Sequence, residues 1–159
     1  MSRIQATAEC EISAPIDKVW EIMVGIGNYP LWNPFVIRIE SNTSEPVEGV
    51  MMDFTVRFPG DNNTTHSKEL VTNFQPPYEN NGEIIAEWEY DYASFMAKIG
   101  MIKATRIQRL SQKVGKPTKY FSQAVFNGGG AGFVPIEKVQ AGFDAQTTAL
   151  KKAAEESVN

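Results

Sequence analysis

The sequence is short of the residues from which most metal and nucleophile sites are built. Its 159 residues include one histidine, His66, and one cysteine, Cys10. A zinc site takes three or four protein ligands, mostly His and Cys, so this stock argues against a metal centre. A single cysteine excludes an internal disulfide and fits a reducing compartment. His66 sits beside Thr64 and Thr65 near a loop and reads as a surface residue. Cys10 lies mid-strand on an apolar face and reads as core packing rather than as a nucleophile. There is no Gly-x-Ser-x-Gly elbow, and a Ser-His-Asp triad would have to use His66. Positive charge is also scarce, with 15 Lys and Arg against 19 Asp and Glu for a net charge of −4. The basic residues between Lys103 and Lys119 are interrupted by apolar ones, as in strands and not as in a polybasic arm. Nucleic acid is therefore not an expected partner. No apolar run approaches the roughly 20 residues of a membrane span. The opening MSRIQATAEC lacks the apolar stretch of a signal peptide, so a cytoplasmic protein is expected.

What the chain does have is alternation. In residues 3–13, Ile4, Ala6, Ala8, Cys10 and Ile12 share one face, while Arg3, Gln5, Thr7, Glu9 and Glu11 share the other. That period of two predicts a half-buried strand. Ser13 is the expected N-cap of a following helix, with Pro15 in its first turn and Asp17 near its positive end. Ile16, Val19, Trp20 and Met23 recur at helical spacing, and Gly25 and Gly27 stop that helix. Further strands are predicted at 36–42, 49–58, 66–75, 83–91, 101–110 and 118–127. The Pro76-Pro77 pair is expected to end the one before it. Pro135 opens a long helical pattern at 135–157, with Ile136, Val139, Phe143, Leu150 and Ala153 along one side.

This order predicts one α+β domain over residues 1–159: about seven antiparallel strands curved around the C-terminal helix, with two short helices after the first strand. The sheet face towards that helix is apolar and aromatic. The opposite face, with Glu87, Glu89, Asp91, Lys103 and Arg109, is wet, so the shared parity of the three acids reads as a solvated surface.

The stretch NYPLWNPF at 28–35 is unusual for a connection, since it holds two prolines and three aromatics. With what precedes it, EISAPIDKVWEIMVGIGNYPLWNPF at 11–35 resembles the opening signature of the START-like (SRPBCC) superfamily, in its polyketide cyclase/dehydrase-like branch. TKYFSQAVFNG at 118–128 and VQAGFDAQTTALKKAAE at 139–155 are similar to the last strand and final helix of that family. The resemblance implies a helix-grip fold around a deep, largely apolar cavity. It implies a small hydrophobic or polyketide-like ligand, lipids and hormones being other family cargoes, and no cofactor. Some members carry inward His and Glu on the last strand. Ser122 and Ala124 stand there in this chain, so that acid–base pair does not carry over. In the family, the connection holding GGGAG lies near the cavity mouth. The run lacks the order of a phosphate loop and reads as a flexible hinge.

On the predicted inner face, Arg106 and Gln108 are the unusual residues. A buried arginine needs partners. It could grip an anionic group or a developing enolate, pair with an internal acid, or be turned outward by a bulge. Tyr90 and Tyr120 are candidate proton relays beside it. Trp32, Phe54, Trp88, Ser122, Phe126 and Phe143 are candidate ligand contacts along with Gln108. The aromatics are open to a core role as well, and Trp32 to a structural one beside the cavity mouth.

Three functions follow. The first is a carrier or binding protein for a hydrophobic or aromatic metabolite. The second is a cofactor-independent cyclase, dehydratase or isomerase of secondary metabolism. The third is a regulatory interaction module using exposed residues such as Phe95 and Met96. A monomer or a homodimer fits each of them.

Overall fold

A computed structural model describes residues 4–159. Arg3, the first outward residue of the predicted alternation, lies outside them. Seven antiparallel strands form one sheet in the order β1-β7-β6-β5-β4-β3-β2. They are β1 (Ile4–Ile12), β2 (Val36–Ser41), β3 (Met51–Val56), β4 (Thr65–Asn80), β5 (Glu83–Tyr92), β6 (Lys103–Lys113) and β7 (Thr118–Asn127). Helices α1 (Ile16–Val24) and α2 (Tyr29–Trp32) carry the chain from one edge of the sheet to the other, and α3 (Phe95–Lys98) is a single turn. The long helix α4 (Ile136–Ser157) lies against β1 and α1. Among the described residues, no helix is long and apolar enough to cross a membrane.

The inner face is graded by side-chain size. Ala6, Ala8 and Ala124 are buried on β1 and β7, where α4 packs close. Trp88, Tyr90, Phe54 and Met52 fill the strands farther away. Small residues let one side of the sheet approach the helix, and large ones span the wider gap on the other.

Four local expectations are corrected. Ser13 does not cap α1: the N-cap is Pro15, whose carbonyl accepts from Lys18 and Val19 N–H at 3.0 and 3.2 Å. The Ser13 N–H instead donates to Glu155 Oε2 on α4 at 2.7 Å.

Pro76-Pro77 does not end β4, which runs on to Asn80 through a register shift between Gln75 and Tyr78. The partner strand explains the tolerance. β3 pairs with β4 only as far as Leu70, so the distal half of β4 has one hydrogen-bonded edge and the prolines remove no bond on the other.

Part of NYPLWNPF is helical. Tyr29 is buried and donates to the Met23 carbonyl at 2.6 Å, closing α2 back onto α1. Asn33 is also buried, and its Oδ1 accepts from Phe35 and Val36 N–H at 2.9 and 3.0 Å. That Asx turn starts β2. Asn33→Ala leaves two buried N–H groups without acceptors, so chemical denaturation should show a loss of about 1–3 kcal/mol.

GGGAG is a fastened loop. Gly130 N–H donates to the Met101 carbonyl at 2.7 Å, and a Cβ on Gly130 would lie 2.9 Å from that oxygen. The glycines at this point serve close backbone approach more than hinge motion.

Candidate functional site

Three adjacent strands bring the polar residues of the interior together. Tyr90 on β5 stands directly opposite Arg106 on β6, which stands opposite Ala124 on β7. The next rung pairs Trp88 with Gln108 and Gln108 with Ser122. On the far side, Tyr90 pairs with Val71 of β4, which puts Glu69, two residues earlier, on the same face. Thus β4, β5 and β6 offer Glu69, Tyr90 and Arg106 to one space. That space is a cavity of about 390 Å³. Its wall is mainly apolar, with Phe35, Phe54, Phe58, Phe126 and Phe143 among the lining residues. Phe133 also lines it while being 85% exposed, which marks the end that reaches solvent.

Arg106 is 6% exposed and faces inward. Its Nε donates to Ser122 Oγ at 3.2 Å, Nη1 to Tyr90 Oη at 3.0 Å, and Nη2 to Gln146 Oε1 of α4 at 3.3 Å. The guanidinium carbon lies 4.1 Å from the centroid of the Phe143 ring, a cation–π contact. All these partners are neutral, and among the described residues no carboxylate lies within ion-pair distance of Arg106.

The donor-only guanidinium fixes the rest of the network. Gln146 must turn Oε1 towards Arg106, which aims its Nε2 at Gln108 Oε1, 3.5 Å away. Gln108 Oε1 also accepts from Tyr120 Oη at 2.7 Å, so Gln108 Nε2 points to Tyr90 Oη at 3.1 Å. Tyr90 Oη then accepts twice, from Arg106 and from Gln108. Burial pushes the Tyr90 and Tyr120 phenols up, against the pull of the nearby guanidinium. Both stay protonated at neutral pH and can donate rather than act as bases.

Of the sequence candidates, Phe54, Tyr90, Arg106, Phe126 and Phe143 lie in the cavity wall. Gln108, Tyr120 and Ser122 are buried behind it, held in the network. Tyr120 is not in the cavity wall and donates to the Gln108 amide. Trp88 is fully buried, packed 5.0 Å from Tyr90 between ring centroids, and Trp32 packs edge-on against Tyr29 at 5.1 Å. Neither lies in the cavity wall. His66 is an exposed rim residue whose Nδ1 lies 3.3 Å from Thr55 Oγ1.

Sequence reasoning missed two residues. Gln146 interrupts the apolar stripe of α4 one turn from both Phe143 and Leu150, and that interruption was the available signal. Glu69 lines the cavity, and its Oε2 is buried with no hydrogen-bond partner among the described residues. Burial pushes its carboxyl up to about 8; Arg106 pulls it down, and Asp91 adds to the rise. An acid raised in the folded state keeps its proton there after the unfolded chain has lost it. Its contribution to stability is therefore full at low pH and falls as pH climbs from about 4.5 to about 8. Thermal or urea unfolding should show that Glu69→Gln removes a decline of up to about 5 kcal/mol across that window.

No family model matches the chain, and no curated protein matches it in sequence. Solved structures do match in shape. Norcoclaurine synthase from Thalictrum flavum, in complex with dopamine and hydroxybenzaldehyde, superposes with a TM-score of 0.67 at 15% identity, covering 98% of this chain and 88% of that one. A major latex-like protein from Panax ginseng gives 0.70 at 8% identity, covering 96% and 97%. An aromatase/cyclase from a Streptomyces species gives 0.65 at 15% identity, covering 99% and 97%. Coverage this complete at identity this low carries architecture alone: the chain has the helix-grip fold that these structures share.

Proposed function

We propose that the protein binds a small hydrophobic or aromatic metabolite inside the helix grip. The observation that carries this reading is the cavity of about 390 Å³, apolar over most of its wall, with Arg106, Tyr90 and Glu69 on three neighbouring strands at one side. Binding pockets of this kind use an apolar body for affinity and a few convergent polar groups for orientation. The shape neighbours include a synthase solved with two aromatic compounds, which supports aromatic cargo.

A second reading is a cofactor-independent cyclase, dehydratase or isomerase. What favours it is the pairing of a fixed positive charge with a protonated phenol on the same cavity, at 3.0 Å from each other. Arg106 would stabilise enolate charge, and Tyr90 would deliver a proton as a general acid. Tyr120 is less suited, because it lies outside the cavity wall and its hydroxyl hydrogen is given to the Gln108 amide.

Native mass spectrometry of the protein as isolated is the direct test. The expected result is a mass increment of a few hundred daltons that disappears on denaturation. NMR of the released compound, before and after incubation with fresh protein, separates carrier from enzyme: an unchanged spectrum supports the carrier, new resonances the enzyme. An apo mass, together with no uptake of any apolar or aromatic compound from a mixed panel, would remove both.

A further inference from the structure

The hydrogens left over in the polar network all belong to donors. Arg106 uses three of its five N–H groups, leaving one hydrogen on each terminal nitrogen. Tyr90 Oη accepts two hydrogen bonds, and its own hydrogen has no acceptor among the described residues. The charge is unbalanced in the same direction, since the guanidinium is buried among neutral partners. The nearest acid on that face is Glu69, diagonal to Tyr90 across the β4–β5 pair, with an oxygen that nothing bonds. Among the described residues, these spare Arg106 and Tyr90 hydrogens have no acceptor within bonding distance, and the guanidinium has no ion-pair partner.

We propose that the cavity holds the carboxylate of an aromatic or alicyclic acid, received by Arg106 and Tyr90, with Glu69 sharing a single proton with it. This rests on the binding reading above and names the ligand's polar end. Two carboxyl groups brought together cannot both ionise without a large repulsive cost, so one proton is kept between them. The arriving anion therefore draws a proton from solvent whenever Glu69 is ionised beforehand. The wall already leans that way, since burial holds the Glu69 carboxyl up to about 8 in the empty protein.

The other charged and titratable groups around Glu69 are few. Tyr92 stands opposite on β5, beside Asp91, whose Oδ1 is engaged by Thr105 Oγ1 at 2.6 Å. β3 presents Met52, and α4 presents Val139 and Phe143, none of them titratable. β6 contributes Arg106, and His66 stands at the rim of β4 itself.

The test is isothermal titration of the wild-type protein with 2-naphthoate and with its neutral analogue 2-naphthamide. It is run between pH 6 and pH 9, in two buffers of different ionisation enthalpy. The expected result is that naphthoate binds at least ~10-fold tighter than the amide at pH 6. It should take up close to no proton at pH 6 and a substantial fraction of one near pH 8. Its affinity should fall by up to about tenfold per pH unit above that. Glu69→Gln should abolish the proton uptake and the fall, and His66→Gln should leave both in place. Equal binding of the two compounds without proton uptake overturns the acid-binding inference while leaving the apolar container intact. Proton uptake that survives Glu69→Gln, or vanishes with His66→Gln, also overturns it. Failure of both compounds to bind at millimolar concentration overturns the inference, and the container reading then stands or falls on the mixed panel described above.

Discussion

Arg106→Met is expected to fold with nearly unchanged stability and to lose about 100-fold or more in affinity for an aromatic carboxylate. The two halves of this expectation have separate causes. A buried cation without a counter-ion carries a desolvation cost of several kcal/mol, and a methionine of similar length removes it. Against that gain, Ser122, Tyr90 and Gln146 each lose a donor, at about 1–3 kcal/mol for any left unsatisfied. Tyr90 keeps its bond from Gln108, which limits the loss. The terms nearly cancel, so thermal unfolding should shift by no more than a few degrees. Binding has no such compensation. Two charge-assisted hydrogen bonds at about 1.5–3 kcal/mol each disappear, and a factor of 100 needs only about 2.8 kcal/mol. Titration calorimetry reads the affinity and a melting curve reads the fold. A variant that still binds naphthoate normally would move the anion site elsewhere. A variant that fails to fold would show that the guanidinium serves the core.

Gly142→Val is expected to destabilise the protein by about 3 kcal/mol or more. Gly142 lies mid-helix in α4, where a glycine ordinarily costs about 1 kcal/mol relative to alanine. It persists because Phe35 occupies the space: a Cβ at Gly142 would lie 2.3 Å from the Phe35 ring. Phe35 cannot swing aside freely, because it packs against Phe58 and Phe143 at 5.8 and 5.9 Å between centroids and is itself buried. Overpacking of this kind costs about 1–3 kcal/mol for a methylene, and valine brings a branched group. Urea unfolding should show the loss. Combining the change with Phe35→Ala should recover part of it, because the valine fills space that the phenylalanine ring vacates. Additive losses would mean that α4 and Phe35 do not meet as described.

The fold was legible because its strands alternate. β1, β3, β5 and β6 each bury one parity more deeply than the other over their central residues, and the inward placement of Arg106, Gln108, Tyr90 and Trp88 follows from counting by twos. The misreadings have a common physical source, since a local rule was overridden by a partner elsewhere in the fold. Pro76-Pro77 looks like a strand end until the shortness of β3 is known. GGGAG looks loose until the Met101 carbonyl is placed against it. Glu69 was hidden in THSKEL, where five polar residues surround one leucine and suggest surface on both faces. Its only marker was its parity with Val71, two residues on, which is buried. The polarity of the buried network left a still weaker trace. The unclaimed hydrogens of Tyr90 and Arg106 follow from which way two glutamine amides turn, and no pattern of residue types encodes that.

The bond between Gly130 N–H and the Met101 carbonyl ties two chain segments together beside the solvent-reaching end of the cavity, where Ile102, Phe133 and Val134 form the wall. Widening that side requires both segments to travel together or this bond to break. The Gly130 amide thus reports separation of the chain at this end of the cavity. Its deuterium exchange rate sets a lower limit on how often this bond opens, and anything that braces the two segments slows that exchange.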